Sequence, residues 1–309
     1  MLSFVIPTYN RKQELKNCLD SILKQKIKNS EIIVVDDNSS DGTYEFVKKN
    51  YPKIKIYKNE KNMFSAYSRN LGFEQSKGDK ILFIDSDVTL RKNAVKNLLK
   101  YDEDIVYPLI KYDSRLTMYP SHEKEKQNLY ITTVFLAKKN SLLKLDSLFD
   151  SYYFNYEDLD FFVRCNYFGL KMKYCKEAIA IHHEHKKQED WEHRHYCELY
   201  GILYGVLKLR KILRDTKMKN EFNFSILTKK LICSLFNFNP AHYYIEKGST
   251  SKFIKIKDIL FSKRKISNST LKVYYLTLKA FYKSLINFPY ILKQKNKLEQ
   301  FIKNENLTN

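Results

Sequence analysis

The chain has 309 residues, a formal net charge of +20, 43% apolar and 15% aromatic residues, and only 7 Gly and 6 Pro. That length supports a sizeable core in one large or two modest domains, and the composition excludes collagen-like, repetitive and wholly disordered chains. The charge is uneven: residues 191–309 hold 23 Lys and Arg against 8 Asp and Glu, a net of +15, which leaves +5 for the first 190. A nearly neutral body followed by a basic region that seeks a polyanion is expected.

The five cysteines, Cys18, Cys165, Cys175, Cys197 and Cys233, form no Cys-x-x-Cys pair, and their odd number fits reduced thiols better than a disulfide framework. MLSFVIPTYN has neither the basic start nor the long apolar centre of a signal peptide. No stretch reaches the ~18 apolar residues of a spanning helix. The expected location is the cytoplasm, with peripheral contact on the inner face of the cell membrane.

In chain order, Leu2 to Thr8 is an apolar run read as a strand, and Arg11 to Leu23 sets Leu15, Leu19, Ile22 and Leu23 at helical spacing. Glu31 to Val35 is a second strand, followed by the polar turn DDNSSDGT, a helix from Tyr44 to Asn50 and a strand around Ile54 to Tyr57. A helix over roughly Ser65 to Gln75 precedes the strand KILFID at Lys80 to Asp85. This strand-helix rhythm with fully apolar strands predicts a mostly parallel sheet buried on both faces, with ligands beyond the strands' carboxyl ends.

Acidic residues fall at that edge. Asp36, Asp37, Asp85 and Asp87 are expected to converge at one rim. Asp37 alone reads equally well as a turn or helix-cap carboxylate. Asp85-Ser86-Asp87 is more telling, because two carboxylates straight after an apolar strand repel each other. A divalent cation bridging them to a diphosphate removes that repulsion.

The strings FVIPTYNR, EIIVVDDNSSDGT, SAYSRNLG, ILFIDSDV and NYEDLDFFVRCNYFG, in this order and spacing, resemble glycosyltransferase family 2 with the nucleotide-sugar-binding GT-A fold. The resemblance covers about residues 1 to 190. It implies an α/β catalytic domain over 1–190, with a nucleotide-binding half, 1–90, and an acceptor half, 91–190. A basic, amphipathic helical region, 191–309, follows. By resemblance Pro7, Tyr9 and Asp37 hold the base and ribose, Arg69 lies near the diphosphate, and Asp85, Ser86 and Asp87 form the DxD motif. Asp85 then lies nearer the ribose and Asp87 on the metal.

The same resemblance makes Asp158 the first choice and Glu157 the second for the base that removes the acceptor hydroxyl proton. Asp160 and Arg164, four residues apart, are expected to pair on the helix surface. Without the resemblance, these acids read as charges complementing a helix start. His182, ending the strand AIAIHHEH, would join Asp85 and Asp87 on Mn2+ or Mg2+, with His183 and His185 as substitutes.

Gly42, Gly72, Gly78 and Gly169 are each expected at a turn or helix end. Many relatives have Asn-x-Gly where this chain has Asn62-Met63-Phe64, and small glycines where it has Thr132 and Thr133 within the strand-and-helix segment Tyr130 to Asp150.

His193 to Leu213 resembles a helix of rhamnosyltransferase-like relatives. Beyond it, Ser251 to Lys265 and Thr270 to Lys297 set apolar and aromatic residues against lysines. That pattern fits either a small packed core or an interfacial helix on an anionic membrane, each nearby Lys or Arg contributing about 1 kcal/mol. Nothing in the N-terminal motifs points to nucleic acid.

The implied activity is an inverting, metal-assisted transfer of one sugar from a nucleotide diphosphosugar to a hydroxyl of a glycan or polyprenyl-linked lipid acceptor, as in polysaccharide biosynthesis. An inactive nucleotide-binding or membrane-scaffolding protein of the same fold is the alternative. A nucleotidyltransferase is disfavoured, because PTYNRKQE replaces its glycine-rich loop.

Overall fold

The computed structural model describes residues 1–113, 118–119, 131–151, 157–183, 208, 282–283 and 286–307. Tyr130, His185, Cys197, Cys233, the Ser251 to Lys265 segment, most of the Thr270 to Lys297 pattern and all of the His193 to Leu213 pattern but Lys208 lie outside them. The chain divides into two compact units, Met1–Tyr153 with Glu157–Lys187, and Phe154–Tyr156 with Gln188–Asn309.

In the first unit, β1 (Leu2–Thr8), α1 (Lys12–Leu23), β2 (Ser30–Asp36), α2 (Thr43–Asn50), β3 (Lys55–Lys58), α3 (Phe64–Glu74) and β4 (Lys80–Ile84) alternate as the sequence predicts. Then come β5 (Val88–Leu90), α4 (Ala94–Leu98), β6 (Ile105–Tyr112), β7 (Met118–Tyr119), β8 (Val134–Lys138), α5 (Lys139–Leu142), α6 (Glu157–Tyr167) and β9 (Met172–His182). One sheet runs in the order β3-β2-β1-β4-β8-β6-β9-β5, with β7 on β6. Its first four strands are mutually parallel. Beyond β4 the sheet is mixed: β8 is antiparallel to β4 and β6, and β9 is parallel to β6.

Alternation along the strands divides the core in two. Phe4, Ile6, Leu82 and Ile84 pack with Leu15, Cys18, Leu19 and Ile22 of α1 on one face. Val5, Ile81, Phe83 and Phe135 pack with Phe73, Phe149, Phe161 and Phe162 on the other. Aromatic pairs bind this second face, Phe83 stacked on Phe135 at 4.9 Å and Phe149 tilted against Phe161 at 4.7 Å. Cys18, Cys165 and Cys175 are buried free thiols within these layers.

Two glycines show different needs. Gly42 takes φ +79°, the left-handed conformation at the start of α2. Gly72 is not at a helix end but inside α3, where an added Cβ would lie 2.4 Å from Val5 Cγ1. Its missing side chain lets α3 lie directly on β1.

In the second unit, α7 (Phe288–Leu307) carries Pro289 in its first turn, where a missing N–H costs nothing. Ile291, Leu298 and Ile302 are buried along one stripe, while Tyr282, Ile286 and Phe288 are exposed. No helix among the described residues is long and apolar enough to cross a membrane.

Candidate active site

The carboxyl ends of β1, β2 and β4 open into a cleft of about 350 Å³ lined by Pro7, Thr8, Tyr9, Arg11, Asp37, Ser65, Ser68, Arg69, Asp85, Ser86, Thr132 and Glu157. Strand pairing brings these residues together. Thr8 is level with Asp36 across β1 and β2, so Tyr9 and Asp37 leave the sheet at the same rim. Asp85 follows β4, and its N–H donates to the Thr133 carbonyl at 2.9 Å.

Arg69, projecting from α3, joins two acids across the cleft. Its Nη2 donates to Asp85 Oδ1 at 2.7 Å and its Nη1 to Glu157 Oε1 at 3.1 Å. Ser65 Oγ, one turn earlier, donates to the same Glu157 oxygen at 2.9 Å. The guanidinium carbon lies 5.6 Å from the centre of the Phe149 ring. Asn70 holds that ring's backbone, donating to the Phe149 carbonyl at 2.7 Å and accepting from its N–H at 3.0 Å. Burial pushes the Asp85 carboxyl up, and the Asp87 charge adds to this, against the opposing pull of Arg69.

Asp87 and His182 meet through the β5–β9 pairing. Val88 is opposite His182, and the His183 N–H donates to the Asp87 carbonyl at 2.9 Å. His182 Nε2 then stands 3.4 Å from Asp87 Oδ2. Burial alone would lower the imidazole's pKa, but the Asp87 hydrogen bond and the Asp87 and Asp85 charges outweigh it and raise it. Its Nδ1 is buried with no hydrogen-bond partner among the described residues. Arg11 Nη1 donates to the same Asp87 Oδ2.

A carboxylate oxygen facing an imidazole nitrogen is a donor pair that suits Mn2+ or Mg2+. Among the described residues no three His, Cys, Asp or Glu side chains converge on one metal position, and Asp85 is turned to Arg69 instead. Asp87 and His182 are therefore the two residues that would hold such a cation.

Asp37 is committed to the fold. Its Oδ1 accepts from Asn59 Nδ2 and from the Met63 N–H, both at 2.7 Å, and its Oδ2 accepts from the Phe64 N–H at 2.8 Å. These bonds hold Phe64 at φ +65°, the conformation that glycine of an Asn-x-Gly turn would take freely. Asp36 faces the core side, where its Oδ1 accepts from the Ser39 N–H at 3.0 Å and burial raises its pKa. The four acids predicted at one rim thus divide, with Asp85 and Asp37 lining the cleft, Asp87 beside it against Arg11 and His182, and Asp36 bracing the β2–α2 turn.

The Glycosyl transferase family 2 profile matches residues 3–157. The chain belongs to glycosyltransferase family 2. It is 37% identical over 103 residues to an uncharacterized glycosyltransferase of Haemophilus influenzae, a match covering 33% of this chain and only 35% of that protein. It is 27% identical over 272 residues to the Campylobacter jejuni GalNAc(5)-diNAcBac-PP-undecaprenol beta-1,3-glucosyltransferase, covering 81% of this chain and 84% of that one. Among solved structures, the mannosyltransferase PcManGT of Pyrobaculum calidifontis, in complex with GDP-Man and Mn2+, superposes with a TM-score of 0.56 at 17% identity. That match covers 92% of this chain and 86% of the other. It places the sheet among GT-A folds.

Within this family 2 framework, Glu157 lines the cleft, whereas Asp158 does not appear among its described lining residues. Asp158 Oδ1 accepts from the Leu159 N–H at 2.7 Å. Burial, followed by the Glu157 charge, pushes its pKa up to about 7. Asp160 and Arg164 do pair, but in the interior rather than on the surface. Arg164 Nε donates to Asp160 Oδ2 at 2.9 Å, and its Nη2 to the Leu148 carbonyl at 2.9 Å, because this face of α6 closes on the 146–149 loop. His183 is held elsewhere, its Nδ1 2.9 Å from Asp113 and its Nε2 2.8 Å from Thr89 Oγ1. Arg11, Ser65 and Ser68 also line the cleft and were not singled out from the sequence, although Arg11 stands inside the quoted string FVIPTYNR and Ser65 and Ser68 inside SAYSRNLG.

Proposed function

We propose that this chain is an inverting glycosyltransferase that moves one sugar from a nucleoside diphosphosugar to a hydroxyl of a glycan or lipid-linked acceptor at the cytoplasmic membrane face. The observation that carries this reading is the line of opposed charges across one cleft, Asp85–Arg69–Glu157, beside the Asp87–His182 pair. The names of relatives support it: the Campylobacter protein is a glucosyltransferase named for an undecaprenol diphosphate glycan, and PcManGT was solved with GDP-Man and Mn2+.

Pro7 and the half-exposed Tyr9 ring form the apolar rim that would receive the base, with Asp37 shaping the wall behind it. Arg69, fixed by two carboxylates and a ring, is preorganised to meet diphosphate charge with little rearrangement. Asp87 and His182 would hold Mn2+ or Mg2+, which when bound neutralises the departing diphosphate. Asp158 is the better base on chemical grounds. Its pKa near 7 matches a proton acceptor at neutral pH, whereas the Glu157 carboxylate is engaged by Arg69 and Ser65. Glu157 then orients Arg69, and a single displacement needs no enzyme nucleophile. The basic C-terminal region would bring the cleft to anionic lipid, where a polyprenyl-linked acceptor resides.

The test is turnover with UDP-, GDP- and dTDP-sugars and a polyprenyl diphosphate-linked glycan, following nucleoside diphosphate release and the product's anomeric configuration by NMR. Release with inverted configuration is expected. A product of retained configuration contradicts the single displacement, and no release from any donor contradicts the enzyme reading.

A further inference from the structure

A carboxylate as buried as Asp87, whose side chain is 5% exposed, needs a counter-charge in contact. Arg11 supplies one from the loop between β1 and α1, and its guanidinium occupies Asp87 Oδ2, the oxygen that also faces His182 Nε2. The cleft's two arginines differ in how freely they can move. Arg69 is 4% exposed and fastened at both ends by Asp85 and Glu157. Arg11 is 37% exposed, so its head group can leave Asp87 for water with little desolvation to overcome.

We infer that Arg11 is a tethered counter-ion that holds the cation position on Asp87 and must yield it for a divalent cation to bind. Metal affinity is then set by competition with this side chain. The inference rests on the reading of Asp87 and His182 as the cation's anchor. A guanidinium and a divalent cation on one oxygen are like charges a few ångströms apart, and their repulsion excludes joint occupancy. Apparent affinity for the metal is therefore reduced to the fraction of time Arg11 spends off Asp87. Because charge-assisted hydrogen bonds are among the stronger ones, that factor is on the order of tenfold. Arg11 also keeps Asp87 compensated whenever no metal is bound, and once displaced it adds a free cation to a cleft that the proposed function assigns to a diphosphate.

The experiment titrates the full chain with Mn2+ alone and reads free Mn2+ by electron paramagnetic resonance, so activity plays no part. Arg11→Gln and Arg11→Ala, both checked for an unchanged circular dichroism spectrum, are expected to bind Mn2+ about tenfold more tightly. Arg11→Lys, which keeps a competing charge, and Lys12→Gln, which removes a neighbouring charge that contacts Asp41 instead, are expected to stay near the native affinity. Asp87→Asn should abolish binding. If both charge-removing Arg11 variants bind no more tightly than the native chain while Asp87→Asn binds nothing, the competition is refuted and the anchor stands. If Asp87→Asn binds like the native chain, the anchor fails and the inference fails with it.

Discussion

Asp158 and Glu157 are chain neighbours with opposite prospects, because Glu157 accepts hydrogen bonds from Arg69 and Ser65 whereas Asp158 accepts from the Leu159 N–H. Replacing Asp158 by Asn is expected to lower kcat by about 10²- to 10⁴-fold, the usual contribution of a general base, while nucleotide affinity stays unchanged. The native kcat/KM should rise with pH through about 7, since the base must be deprotonated, and Asp158→Asn should lose that limb. The sign for stability is opposite. A carboxyl whose folded pKa is raised stabilises the fold below its unfolded pKa, and that contribution is lost as pH rises through about 7. Asp37 makes the complementary point. Its two oxygens accept three hydrogen bonds from residues 59–64, so Asp37→Ala should destabilise the chain by about 2–4 kcal/mol in denaturant unfolding. An unchanged midpoint would mean that Asp37 serves the ligand alone. The sequence marked Asp37 as polar and well placed, but could not show that the fold already uses both oxygens. Arg11 was missed for a related reason, since its partner Asp87 lies 76 positions away.

At the scale of elements, apolar runs and helical spacing made the first seven elements legible to within a residue or two, because β1 and β4 are buried on both faces and the helices carry one apolar stripe each. Legibility failed where local chemistry argues against the outcome. β6 contains Pro108, which discourages a strand, and the register against β9 shifts between Pro108 and Leu109, where residues 176–178 of β9 are passed over. The three residues of β5 are too few to announce themselves, yet their pairing with β9 is what brings Asp87 to His182. Gly72 was expected at a helix end but serves packing. Gly72→Ala should cost about 1–3 kcal/mol, measurable as a lowered Tm, because Val5 or the whole of α3 must move aside. A Tm equal to the native value would show that the α3–β1 approach yields more easily than the 2.4 Å separation of an added Cβ from Val5 Cγ1 implies. Arg164 reads as a surface partner of Asp160 by spacing alone, since only packing against the 146–149 loop makes the pair internal.

For the whole molecule, the charge asymmetry separates chemistry from placement. The first 190 residues contain every proposed catalytic group at a net charge of only +5, whereas the basic remainder supplies +15. The purified chain is expected to sediment with phosphatidylglycerol vesicles at low salt and to be released as salt rises, because each surface cation contributes about 1 kcal/mol that screening removes. Equal recovery with neutral vesicles would contradict an electrostatic role for the C-terminal region. The central claim, that the cleft at the ends of β1, β2 and β4 takes a nucleoside diphosphate with a divalent cation, is tested most directly by calorimetry of UDP, GDP and dTDP with and without Mn2+ on the native chain and on Asp87→Ala. The account predicts that one nucleotide binds in a Mn2+-dependent way and that Asp87→Ala loses this binding. Failure of all three nucleotides to bind the folded native chain, or binding indifferent to both Mn2+ and Asp87, would contradict it.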